Sequence, residues 1–171
     1  MHRKLSLGAA KIGGMAEIAL REVRDEDLDG IFDQLREPEG VWIAAFTAED
    51  PDDRTFFDTH MARIRADPSV TMRAVTRDGR LVGHVASFDR DGDLEVTYAV
   101  DRDAWGQGVA SGALNLLLQE VTARPVHARA ASDNLGSLRV LEKAGFRIIG
   151  TNRDFAQARK AEIEETVLRL D

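Results

Sequence analysis

Trp105-Gly106-Gln107-Gly108-Val109-Ala110-Ser111-Gly112 is the stretch on which the reading of the fold turns. It lies between an alternating, strand-like run from Leu94 to Val100 and an apolar helical pattern from Val109 to about Ala123. Glycines at a strand-to-helix junction let the backbone take positive φ and approach a ligand closely. The first turn of a helix also carries unsatisfied N–H groups and the positive end of the dipole. Together these features make an anion site, usually for phosphate. No Lys-Ser or Lys-Thr pair closes the stretch, so it is not a P-loop. A plain glycine-rich connection into a core helix accounts for the same residues equally well.

Upstream, three strand patterns follow one another. Val70 to Thr76 alternates, Asp78-Gly79 turns the chain into Arg80 to Phe88, and Asp91-Gly92 turns it into Asp93 to Val100. Such tight connections predict an antiparallel meander. Before it come a strand over Glu17 to Val23, a helix from the acidic start Asp25-Glu26-Asp27 through Leu35, and a helix through Phe56, Phe57, Met61 and Ile64. The segment between those helices, Arg36 to Asp53, reads as a loop because of Pro38, Gly40 and Pro51. Downstream, the patterns predict a strand over Pro125 to Ala130, a helix over Asp133 to Ala144 stopped by Gly145, and strands over Phe146 to Gly150 and Ile163 to Leu170 separated by a polar loop. The expectation is a single α/β (α+β) domain over 16–171, with a mixed, mostly antiparallel sheet of about seven strands and helices on both faces. Residues 1–15 are expected to be a loose leader.

Composition narrows the function classes. The 171 residues are 43% hydrophobic and 31% charged, which suits a soluble globular domain with a sizeable core. The net charge of −7 and the lack of a dense basic run argue against nucleic acid as partner. With no cysteine, thiolate metal sites and Cys nucleophiles are excluded, and the four histidines show no metal-ligand spacing. No apolar run reaches membrane-span length. A cytoplasmic enzyme or binding module, metal-free and a monomer or homodimer, fits these bounds.

Gly106 and Gly108 also begin a dinucleotide fingerprint, with Ser111 at its third position and Asp133 at a suitable distance for a ribose contact. The hairpins before the stretch count against that reading, because a doubly wound sheet needs parallel crossovers. A second set of residues points elsewhere: Asn134-Leu135-Gly136-Ser137, then Leu141-Glu142-Lys143-Ala144-Gly145-Phe146. With Trp105 to Ala110 in this order, about a strand apart, the chain from Glu17 to Asp171 resembles the GCN5-related N-acetyltransferase (GNAT) family. Trp105, where that family often has Gln or Arg, is closest in pattern to the branch of ribosomal-protein N-terminal acetyltransferases.

The resemblance implies transfer of an acetyl group from acetyl-CoA to a primary amine by direct attack in a ternary complex. It implies that backbone N–H groups of Gly106, Gln107, Gly108, Val109, Ala110 and Ser111, following Trp105, hold the pyrophosphate. Gln107 either adds a side-chain donor or is a solvated turn residue. The strand end at Tyr98, Ala99 and Val100 is implied to pair with the pantetheine arm and to supply the oxyanion donor. Asn134 is implied to contact that arm, although helix capping accounts for it as well. Ser137 is the candidate for protonating the thiolate, since the family's helix tyrosine is absent and Tyr98, the single tyrosine, lies elsewhere.

Glu95 leads as general base, because Glu95, Thr97 and Ala99 share one strand face near the strand end. A solvated strand residue is the competing reading, and His84 and His127 are alternatives. For the acceptor, Arg36 to Asp58 carries seven carboxylates against Arg36 and Arg54, with Trp42 and Phe46 as candidate pocket aromatics. Such a segment favours a cationic amine, either a protein N-terminus or a small molecule. A non-catalytic acyl-CoA-binding or regulatory module is the alternative of a different class.

Overall fold

The computed structural model describes residues 8–12 and 16–171. Eight strands form one sheet: β1 (Ala9–Ile12), β2 (Ala16–Glu22), β3 (Thr71–Arg77), β4 (Arg80–Arg90), β5 (Asp93–Val100), β6 (Val126–Ala131), β7 (Arg147–Ala156) and β8 (Ala161–Leu170). Their order is β1-β2-β3-β4-β5-β6-β8-β7. Every neighbouring pair is antiparallel except β5 and β6. The helices are α1 (Leu28–Arg36), α2 (Pro38–Ala44), α3 (Arg54–Ala66), α4 (Val109–Glu120) and α5 (Leu135–Lys143).

The expected meander is present as β3, β4 and β5, with Asp78-Gly79 and Asp91-Gly92 at its turns and all four residues at positive φ. The strand count exceeds the expected seven by β1. Ala9–Ile12, within the stretch read as a loose leader, pairs antiparallel with β2 from Ala9 opposite Ala19 to Ile12 opposite Ala16. The remaining leader residues, 1–7 and 13–15, lie outside the described residues, apart from Gly8, whose carbonyl accepts from Leu20 N–H.

Two apolar layers hold the helices to the sheet. On one face α4 buries Leu114 and Leu117, and α5 buries Leu141, against Ile18, Leu20, Val75, Val85, Val96 and Leu168. On the other face α1 and α3 bury Ile31, Phe32, Phe57 and Met61 against Met72 and Ala86. Helix α4 is apolar nearly all round, as a helix sunk into a core must be.

Two segments differ from expectation. The supposed loop after Arg36 contains α2, because Glu37 caps it by accepting from Gly40 N–H at 2.6 Å and Pro38 opens its first turn. Proline is favoured at that position, where its missing N–H has no helical acceptor to lose. The supposed polar loop after Gly150 is instead most of a hairpin between β7 and β8. Asn152, Arg153 and Asp154 are strand residues on the exposed edge, where charged side chains suit β7.

Candidate active site

The parallel pair β5 and β6 positions the site. The two strands meet only where Glu95 faces His127, and no further pair forms toward Val100 and Ala131. Beyond Glu95, one edge of β5 therefore lacks a strand partner, and backbone N–H and C=O groups there are open to a ligand. A cleft of about 990 Å³ occupies this gap. Its walls are the end of β5, the loop into α4, the first turns of α4 and α5, and the inner sides of α1 and α2. That size suits an extended organic ligand rather than a lone ion.

The loop into α4 has the geometry expected of an anion cradle. Gly106 and Gly108 take φ of 70° and 79°, conformations that side-chain-bearing residues adopt only with strain. Gly108 is the N-cap of α4 and offers no side-chain acceptor, and Gly112 makes the first helical bond, to Gly108 O at 3.0 Å. The preceding N–H groups of α4 are left for a ligand to satisfy. Trp105 fastens the loop to the sheet by donating its indole N–H to Val100 O at 2.8 Å. Gln107 is the exception among the expected contacts. Its side chain accepts from Arg77 and donates to Asp103 O at 2.9 Å, and it does not line the cleft. Of the two readings of Gln107, a side-chain donor to the ligand and a solvated turn residue, its exposed turn position fits the second, with the side chain bracing the loop.

Across the gap, Asn134 Oδ1 caps α5 by accepting from Ser137 N–H at 3.1 Å. Ser137 Oγ lies 2.8 Å from the Tyr98 hydroxyl. Burial, partly offset by Ser137, pushes Tyr98 up to about 12, so the phenol stays protonated across the neutral range. Tyr98, Ala99, Val100, Trp105, Gly106, Gly108, Asn134 and Ser137 thus converge on one cleft, with Val109, Ala110 and Ser111 at its helix start.

Three other expectations are corrected. Glu95 is 3% exposed and does not line the cleft. Its carboxylate accepts from Arg129 Nε at 2.5 Å and pairs with Arg90 at 3.3 Å, so it is an ion-paired strut between β5 and β6 and not a free base. Trp42 and Phe46 also miss the cleft, because α2 turns Val41, Ile43 and Ala44 toward it. Trp42 lies under the Arg159 guanidinium at 4.9 Å, and Phe46 packs against Ala45, Ala131 and Ala156. Neither histidine lines the cleft. His84 is buried, which pulls its pKa down to about 4, and His127 Nδ1 is buried without a partner.

The structure adds residues that the sequence reading passed over. Asp33, Gln34, Asp101 and Asp103 line the cleft at its α1 and α2 side, beside Glu37 of the acidic segment expected to face the acceptor. The Gln34 side chain lies near the Asp101 carboxyl, and its Oε1 accepts from His84 Nδ1 at 3.0 Å. Burial raises the Asp101 pKa, Gln34 opposes this, and Asp103 and Asp33 add to the rise. The available signal was parity. Asp101 continues the Glu95, Thr97, Ala99 face to the open end of the strand.

Residues 17–147 match the family model described as an acetyltransferase (GNAT) domain. The chain belongs to the GNAT acetyltransferase family. No curated protein matches it by sequence. Among solved structures this GNAT chain is similar in fold to Mycobacterium smegmatis RimJ in complex with CoA-disulfide, at 20% identity and a TM-score of 0.79, covering 99% of this chain and 90% of that one. It is similar to spermidine N-acetyltransferase from Vibrio cholerae in complex with CoA and spermine, at 15% identity and a TM-score of 0.76, with 90% and 94% covered. The ribosomal-protein-alanine N-acetyltransferase of Brucella melitensis matches at 18% identity and a TM-score of 0.68, with 88% and 98% covered.

Proposed function

We propose that this GNAT protein transfers the acetyl group of acetyl-CoA to a primary amine, by direct attack with both substrates bound. The observation that carries this reading is the splay of β5 from β6 beside the uncapped start of α4. A nucleotide thioester has two features to be recognised, a pyrophosphate and an amide-bearing arm. The glycine loop and the first N–H groups of α4 suit the pyrophosphate, and the unpaired edge of β5 suits the arm. Backbone N–H groups near Tyr98 to Val100 would stabilise the oxyanion that forms when the amine adds to the thioester carbonyl. Ser137, hydrogen-bonded to the neutral Tyr98 phenol, would protonate the departing thiolate.

The carboxylates at the α1 and α2 side of the cleft favour a cationic acceptor. The relatives similar in fold include ribosomal-protein and spermidine acetyltransferases, so a protein N-terminus and a polyamine are the two acceptor classes to test. Incubation with acetyl-CoA and a panel of N-terminal peptides and polyamines, read by release of free CoA thiol and by product mass, tests the reading. Amine-dependent thiol release with a mass gain of one acetyl group supports it. Tight acetyl-CoA binding with no transfer to any amine favours a non-catalytic acyl-CoA-binding module instead.

A further inference from the structure

We infer that Asp101 is the group that receives the acceptor's ammonium and takes its proton, at the mouth of the gap beside Gln34. The inference rests on the amine-transfer reading and names the base within that same site. Strand β5 divides the cleft by parity. Tyr98 and Val100 belong to the α4 and α5 face, where Tyr98 meets Ser137, whereas Ala99 and Asp101 belong to the α1 face. Asp101 is the first residue past β5, and its own N–H is tied to Val82 O at 2.7 Å, so its backbone is fixed at the mouth of the gap.

Gln34 on α1 lies beside Asp101, and His84 on β4 fixes the Gln34 Oε1 through Nδ1 at 3.0 Å. Neutral His84 donates from Nδ1 to Gln34 Oε1, which leaves the amide NH2 of Gln34 free to donate near the cleft. Glu95 accepts from two arginines, but Asp101 has no ion-pair partner among the described residues. The charged groups around it are Asp33 on α1, Glu37 on α2, and Arg102 and Asp103 on its own loop. Arg102 is turned away into pairs with Glu37 and Glu39. In the same cleft, Thr47 Oγ1 is buried without a hydrogen-bond partner, a polar atom left for a bound acceptor to satisfy.

The reaction balances on these groups. One ammonium proton passes to the Asp101 carboxylate, and the freed nitrogen lone pair forms the C–N bond with the thioester carbonyl carbon. The C–S bond then breaks with its electron pair going to sulfur, which takes a proton from the Ser137 and Tyr98 pair. The second proton leaving nitrogen returns through solvent to restore that pair, and Asp101 releases its proton to solvent. Burial and the neighbouring carboxylates, which raise the Asp101 pKa, make it a better proton acceptor than a solvated aspartate.

The test compares wild type with Asp101→Asn, using acetyl-CoA and the amine that wild type acetylates best. The variant should lose at least about tenfold in kcat/KM near neutral pH, with the loss shrinking as pH approaches the amine pKa. The shift in Tm on adding CoA should be unchanged, and Gln34→Leu should give a smaller loss with the same pH trend. Calorimetric titration of spermine into the CoA-loaded protein reads the ammonium contact without turnover, and Asp101→Asn should weaken it about tenfold. Unchanged kcat/KM, or a loss that is uniform with pH, overturns the inference while leaving the amine-transfer reading intact. If wild type neither acetylates nor binds any amine while still binding CoA, the amine-transfer reading fails and takes the assignment of Asp101 with it.

Discussion

The Tyr98 hydroxyl stands 2.8 Å from Ser137 Oγ, joining the splayed end of β5 to the first turn of α5 across the cleft. Because the phenol is pushed up to about 12, Tyr98 is a permanent donor below that range. Tyr98→Phe and Ser137→Ala should each lower kcat by about a hundredfold, the lower end of what one positioned proton donor contributes. The double variant should lose little more than either single one, because the pair acts as a unit. Steady-state kinetics on the three variants check this, and fully multiplicative losses would separate the two residues.

Glu95 should behave as a structural residue. Glu95→Gln leaves Arg129 and Arg90 facing a neutral partner in a half-buried setting, at a cost of about 1–3 kcal/mol in unfolding free energy. Urea unfolding reads that loss. The pH dependence of kcat/KM should keep the wild-type shape, and loss of its acidic limb would restore Glu95 as the base.

Gly83 sits opposite Val100 in the β4–β5 ladder, and a Cβ added there would lie 2.4 Å from Ala99 O. Backbone cannot yield as a flexible side chain can. Gly83→Ala should therefore displace the end of β5, cost about 1–3 kcal/mol of stability and weaken CoA binding by more than its effect on Tm explains. Calorimetric titration with CoA at a temperature where the variant remains folded makes the check. Unchanged CoA affinity would mean that the end of β5 does not touch the arm.

His84 makes stability pH-dependent in a defined window. Its native pKa of about 4 lies below the ordinary 6.5, so the folded protein keeps it neutral while the unfolded chain takes up a proton. The contribution is fully present above about 6.5, declines as pH falls, and is lost once pH drops through about 4. His84→Gln should flatten the fall in unfolding free energy between about pH 6.5 and about pH 4, measured by urea titration. An unaltered slope would assign the acid sensitivity to other groups.

Much of the fold was legible because period and punctuation agree. Asp78-Gly79 and Asp91-Gly92 separate alternating runs, and the apolar pattern after Gly108 has one reading. Helix α2 was hidden by Pro38 and Gly40, which look like breakers but act as a first-turn residue and a capped N–H. The site was legible where it is made of backbone, since glycines at Gly106 and Gly108 report the required φ directly. It was not legible where it depends on the rotation of one short helix. Seven residues of α2 do not reveal which face meets the cleft, which takes Val41, Ile43 and Ala44 and leaves Trp42 outside. Glu95 lies deep in the sheet, held by Arg90 and Arg129. Three alternations further along, at roughly 3.3 Å per residue, the same face carries Asp101 some 20 Å nearer the open end.

Every proposed step needs the cleft between β5 and α4 to hold the nucleotide thioester, and the change in Tm on adding CoA reads that binding. At about a hundredfold over Kd the ligand should add roughly 2.7 kcal/mol and raise Tm by several degrees, with acetyl-CoA doing the same and NAD doing nothing. Gly108→Val should abolish the shift while the protein remains folded. No shift with CoA or acetyl-CoA at millimolar concentration would mean that this cleft does not bind the nucleotide thioester.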